Sequence, residues 1–123
     1  MAKILVVDDE PLLVEVLCEE LSRAGYEVIS ATSGNGARRI LESESVDLVL
    51  TDSRMKDGDG LGLLDWIRER HPTRPYVLLS SAFADIDPAE AQRRGAQAMF
   101  GKPYDFELIC ETLAKLLSGS SHA

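Results

Sequence analysis

Apolar positions along the chain follow two alternating patterns. Short unbroken runs read as strands buried on both faces, and between them lie longer stretches in which apolar residues recur at helical spacing. Lys3 to Val7 is the first run and stops at Asp8-Asp9-Glu10. Pro11 suits the first turn of a helix, where its missing N–H costs nothing, and Leu13, Val16, Leu17, Leu21 and Ala24 keep helical spacing up to Gly25. Tyr26 to Ser30 alternates and carries β-branched residues, predicting a second strand. Ser33-Gly34-Asn35-Gly36 opens a second helix through Ala37, Ile40 and Leu41. The run from Val46 to Leu50 predicts a third strand ending at Asp52; Leu61, Leu63, Leu64 and Ile67 form the next helical stripe, ended by His71-Pro72. Tyr76 to Leu79 predicts the fourth strand, leading into Ser80-Ser81-Ala82. Pro88 to Arg94 predicts a short helix closed by Gly95, and Ala96 to Phe100 a fifth strand followed by Gly101-Lys102-Pro103. Asp105 is placed to cap a last helix with Ile109, Leu113, Leu116 and Leu117 on one face.

Strands alternating with helices five times over predict an α/β fold, a doubly wound parallel sheet with helices on both faces and right-handed crossovers. All strand carboxyl ends then share one edge, where open α/β sheets keep their ligands. Asp8, Asp9, Asp52, Ser81 and Lys102, each at or just past a strand end, would converge there.

Composition adds bounds rather than chemistry. The 123 residues suit one domain, taken as residues 1–118, with 119–123 a flexible tail or the start of a linker. With 45% hydrophobic and 28% charged residues, the chain falls in the globular class. No apolar run is long enough to span a membrane, and M-A-K-I-L-V-V is too short for a signal peptide, so a cytoplasmic location is expected. A net charge of −8 argues against a nucleic-acid-binding surface. Cys18 and Cys110 lack metal-ligand spacing and are expected as reduced thiols. His71 and His122 have no partner pattern that would support a metal site or a Ser-His-Asp triad. The G-N-G at residues 34–36 lacks the third glycine of a dinucleotide loop, and Arg68 stands where a calcium loop at Asp57-Gly58-Asp59-Gly60 would need a closing glutamate.

An aspartate that merely starts a turn would explain Asp52 alone, and ordinary helix-capping acids would explain Asp8 and Asp9. Five such residues at strand ends call for a common cause. Carboxylates gathered within a few ångström raise one another's pKa unless a cation sits between them. Mg2+, a hard ion that takes carboxylate, carbonyl, water and phosphate oxygens, meets that need. One aspartate is then free to accept a phosphoryl group as an acyl phosphate, its charge met by the metal, the Lys102 ammonium and the Ser81 hydroxyl.

The motifs I-L-V-V-D-D-E-P, L-V-L-T-D-S-R-M-K-D-G-D-G, S-S-A and G-K-P-Y-D together make the chain, from Lys3 to about Leu117, resemble the response-regulator receiver domains of two-component signalling. The resemblance implies a flavodoxin-like five-stranded sheet of order 2-1-3-4-5. It implies Asp52 as phosphoacceptor and Asp9 as direct Mg2+ ligand, with Asp8 holding metal-bound water and the backbone carbonyl of Arg54 completing the protein ligands. Ser81 is similar to the switch hydroxyl and Lys102 to the ammonium that bonds the phosphoryl group; Pro103 follows where a cis bond is common. The implied partner is a sensor histidine kinase or a histidine phosphotransfer protein, with no nucleic acid or membrane contact by this domain; a homodimer and any effector are left open. The alternative from another class is a Mg2+-dependent phosphohydrolase with an aspartyl nucleophile, but Arg54 occupies the place of its second acid. Three residues depart from the family pattern: Lys56 for proline, Met99 for the aromatic that reports phosphorylation, and bulky Phe83, expected to shield the phosphoryl group. Trp66 lies outside the apolar stripe and is either packed or a partner contact.

Overall fold

Five strands, β1 (Lys3–Val7), β2 (Glu27–Ala31), β3 (Leu48–Asp52), β4 (Tyr76–Ser81) and β5 (Ala98–Gly101), pair in parallel in the order β2-β1-β3-β4-β5. They alternate with α1 (Pro11–Arg23), α2 (Gly34–Ser43), α3 (Gly60–Arg70), α4 (Pro88–Arg93) and α5 (Phe106–Ser121), as the periodicity predicts. The computed structural model describes residues 2–55, 58–81, 87–102 and 104–121, and side chains of the last helix as far as residue 117. The expectations attached to Lys56, Phe83 and Pro103 lie outside the described residues, as does His122.

Side chains alternate across each strand, so the unbroken apolar runs feed two cores at once. Leu5, Val7, Val49, Val77 and Leu79 pack one face against α2, α3 and α4. Ile4, Val6, Leu48, Leu50 and Leu78 pack the other against Leu17 and Leu21 of α1 and Ile109 and Leu113 of α5. The winding reverses between β1 and β3, which opens a crevice at their carboxyl ends.

Side-chain caps fix the starts of α2, α3 and α5. Ser33 Oγ accepts the Gly36 N–H at 2.9 Å, Asp59 Oδ1 the Gly62 N–H at 2.7 Å, and Asp105 Oδ1 the Leu108 N–H at 3.1 Å. Gly34 has its own reason: its N–H donates to the Gly58 carbonyl at 2.9 Å, and a Cβ there would overlap that carbonyl. The G-N-G sequence thus lets the start of α2 close onto the loop after β3.

Several boundaries and faces differ from the sequence pattern. β2 lies one residue later than Tyr26–Ser30, and β5 begins at Ala98 because the Ala96 N–H closes the turn after α4 on the Ala91 carbonyl at 3.0 Å. In α1 the buried line is Val14, Leu17 and Leu21, whereas Val16 is 44% exposed and Ala24 also faces out. Val16 stands about 100° around the helix from Leu17, too far to share its contact with the sheet. Residues 119–121 continue the backbone of α5 where a flexible tail was expected, each adding a hydrogen bond to a helix already nucleated.

Trp66 resolves as a packed residue. It is half-buried against the core on the α2–α3 side, with the guanidiniums of Arg70 and Arg38 4.3 and 5.9 Å from its ring centre. Cys18 and Cys110 are free, half-buried thiols, both pushed up by burial. No helix among the described residues is long and apolar enough to cross a membrane.

Candidate functional site

Three strand ends bring a cation and its partners together. Asp8 follows β1 and is fully buried; its Oδ1 accepts the Glu10 N–H at 3.0 Å. Asp52 is the last residue of β3, 8% exposed, and its Oδ1 accepts the Arg54 N–H at 3.4 Å. Lys102 follows β5, tied by its N–H to the Ser81 carbonyl at 2.9 Å. From there its ammonium reaches Asp8 Oδ2 at 3.0 Å and Asp52 Oδ2 at 3.1 Å. Asp9 is half-buried beside them, and one carboxylate oxygen from each of Asp8, Asp9 and Asp52 lies within 4.8 Å of the others. Ser81 closes β4, buried and in register with Gly101, while the side chain of Arg54 is exposed beyond Asp52.

Burial pushes the Asp52 carboxyl up; the Lys102 ammonium pulls it back, and the neighbouring Asp8 charge adds to the rise. For Lys102, burial alone would favour the neutral amine. The hydrogen bonds from Asp8 and Asp52 outweigh it and hold the ammonium well above its ordinary range. Three carboxylates meet in a largely buried rim of hard oxygen donors, and the ammonium bonds two of them. That set of carboxylate donors fits Mg2+.

Two residues that sequence reasoning passed over belong to this cluster. Tyr104 places its hydroxyl 2.8 Å from Ser80 Oγ and 3.4 Å from Asp8 Oδ2, and burial pushes its phenol up to about 12. Ser80 is fully buried and in register with Asp52. Tyr104 stood in view within G-K-P-Y-D, but spacing alone gives a tyrosine two residues after a lysine no direction. Met99 is half-buried and packs on the α2–α4 side of the sheet, away from this cluster.

Ser53, next to Asp52, has its backbone fully engaged, with its N–H on the Ser80 carbonyl and its own carbonyl accepting from Gly60. Its hydroxyl is buried with no partner among the described residues. Ser53→Ala should therefore raise the unfolding free energy by about 1 kcal/mol, the relief of one unsatisfied polar group. Urea denaturation measures it; an equal loss instead would mean that the hydroxyl is bonded in solution.

Comparison with known proteins shows the family. The family model described as the response regulator receiver domain matches residues 4–114. The chain belongs to the receiver domain family. The receiver is 39% identical over 116 residues to the response regulator protein PilR of Pseudomonas aeruginosa, covering 94% of this chain and 26% of that one. It thus spans about a quarter of the length of the curated relatives it matches. Among solved structures, a receiver domain protein from Clostridium thermocellum superposes with a TM-score of 0.89 at 28% identity, covering 98% of both chains. The response regulator protein TrrA from Thermotoga maritima, solved in complex with Mg2+ and BeF, superposes with a TM-score of 0.85 at 33% identity, covering 94% of this receiver and 99% of that chain. The receiver is a signalling module.

Proposed function

We propose that this receiver takes a phosphoryl group onto an Asp52 oxygen from a phosphohistidine of a sensor histidine kinase or a histidine phosphotransfer protein, and that the added charge shifts the domain between two packings. The observation that carries this reading is the meeting of Asp8, Asp9 and Asp52 within 4.8 Å, bridged in part by Lys102. TrrA, described with Mg2+ and BeF, supports it by likeness of fold and sequence. In the transfer an Asp52 oxygen attacks phosphorus, the P–N bond breaks, and the imidazole leaves with the electron pair.

Asp9, Asp52 and the backbone carbonyl of Arg54 would hold Mg2+ directly and Asp8 through water, where the ion would supply positive charge to the transferring oxygens. Lys102 needs little movement to contribute. Its ammonium already lies 3.1 Å from Asp52 Oδ2 and follows the negative charge as it passes onto the phosphoryl oxygens. The Ser81 hydroxyl donates to a further phosphoryl oxygen. Slow attack of water on the acyl phosphate resets the domain, which labels itself from small phosphodonors without multiple-turnover catalysis. The reading places the receiver in the cytoplasm.

A docking face adjoins the rim. Leu12 and Val16 of α1 are 77% and 44% exposed, beside a depression of about 300 Å3 lined by Leu13, Val16, Lys102, Tyr104 and Phe106. Because Lys102 borders both, a donor helix seated on this apolar patch would bring its phosphohistidine to Asp52. Incubation with acetyl phosphate and Mg2+, read by intact mass, tests the reading. The wild type should gain one phosphoryl group and Asp52→Ala none; labelling of Asp52→Ala at the wild-type rate would overturn it.

A further inference from the structure

Asp8 cannot turn freely, since its two oxygens are claimed from three directions. Oδ1 accepts the Glu10 N–H at 3.0 Å; Oδ2 accepts the Lys102 ammonium at 3.0 Å and, at a longer 3.4 Å, the Tyr104 hydroxyl. The phenol shares a 2.8 Å hydrogen bond with Ser80 Oγ, in which either oxygen can donate, and lies within donating reach of Asp8 Oδ2. Ser80, Tyr104 and Asp8 are therefore linked in one chain of contacts. The same ring lies 5.8 Å from the Lys102 ammonium and 6.4 Å from the ring of Phe106, which limits its own movement. One side chain thus bonds the strand residue in register with Asp52 and lies beside the buried acid and the ammonium.

We propose that Tyr104 is a positioning residue of the phosphoacceptor rim, anchored by Ser80 and holding Asp8 and the Lys102 ammonium where an incoming Mg2+ and phosphoryl group need them. This rests on the Mg2+-dependent phosphoacceptor reading above. A phenylalanine at the same place would fill the same volume and keep its ring beside Lys102. It would leave the fully buried Ser80 hydroxyl without its partner and Asp8 with one donor fewer. Among the described residues the Ser80 hydroxyl meets the rim through the phenol, so the two substitutions remove one device.

Calorimetric titration of Mg2+ into the wild type, Tyr104→Phe, Ser80→Ala and the double variant tests this. Each single variant should bind Mg2+ about tenfold more weakly, the low end of what outer partners of metal ligands cost, and the double no more weakly than the worse single. A double-mutant cycle in urea without Mg2+ should also show coupling between the two positions. Wild-type affinity in both singles, losses that add in full, or absent coupling would overturn the proposal. Should Tyr104→Phe fail to fold, Ser80→Ala carries the titration alone. A wild type that takes no Mg2+ would instead sink the phosphoacceptor reading, leaving the metal-free cycle to decide the positioning role.

Discussion

Lys102→Met should lower the unfolding free energy of the Mg2+-free protein by about 3 kcal/mol, the cost of removing one partner from a buried ion pair. The ammonium bonds two carboxylates whose side chains are 0% and 11% exposed, so methionine leaves like charges facing each other in a largely buried rim. Protonation of one carboxyl caps the penalty. Mg2+ should recover part of the loss, because an ion bound only by the folded state stabilises it by mass action. Asp52→Asn should behave oppositely. A carboxyl whose folded pKa is raised contributes stability in full only below its unfolded pKa, and loses that contribution as the pH passes the folded value. Above that value the ionised Asp52 is a cost, and the amide should be as stable as the wild type or more so. Urea midpoints with and without Mg2+ measure both. A Lys102→Met protein as stable as the wild type and indifferent to Mg2+ would show that the rim is not charge-stressed.

Gly60→Ala is the second large effect, a loss of about 3 kcal/mol together with weakened Mg2+ binding. The reason is contact rather than backbone conformation. The Gly60 N–H donates to the Ser53 carbonyl at 3.1 Å, drawing the start of α3 against the end of β3. A Cβ would overlap the Asp52 carbonyl oxygen and lie 2.9 Å from both the Asp52 carbonyl carbon and Ser53 Cα. These are backbone atoms and cannot rotate away, so relief must come from moving the segment that carries Asp52. Gly101→Ala is the control: a Cβ there meets nothing within 4 Å, and the change should stay within about 0.5 kcal/mol. A Gly60→Ala protein as stable as that control would contradict the close packing.

How much of this the sequence carried depends on which residues had a pattern to stand on. Lys102 and Asp8 are 94 positions apart, yet their meeting was legible, because apolar runs located the strand ends and parallel topology puts all such ends on one edge. The Ser80–Tyr104–Asp8 chain was not legible. Its links span 24 and 96 positions, and it depends on where one phenol points, which neither strand nor helix periodicity encodes. The same limit governs Val16, exposed although its spacing suited the core: a helix rich in apolar residues offers more than one candidate stripe, and packing against the sheet chooses. Gly34 and Gly58 show a third kind of blindness, since a close approach of two backbones leaves only a glycine on each side as its trace.

The central claim is that an acidic rim holds a divalent ion and lets Asp52 carry a phosphoryl group. A crystal structure of the protein with Mg2+ and beryllofluoride tests it most directly. The account predicts the fluoride adduct on an Asp52 oxygen, the ion between Asp9, Asp52 and the Arg54 carbonyl, and Lys102 turned onto a fluorine. A vacant rim, or the adduct seated elsewhere, would contradict it.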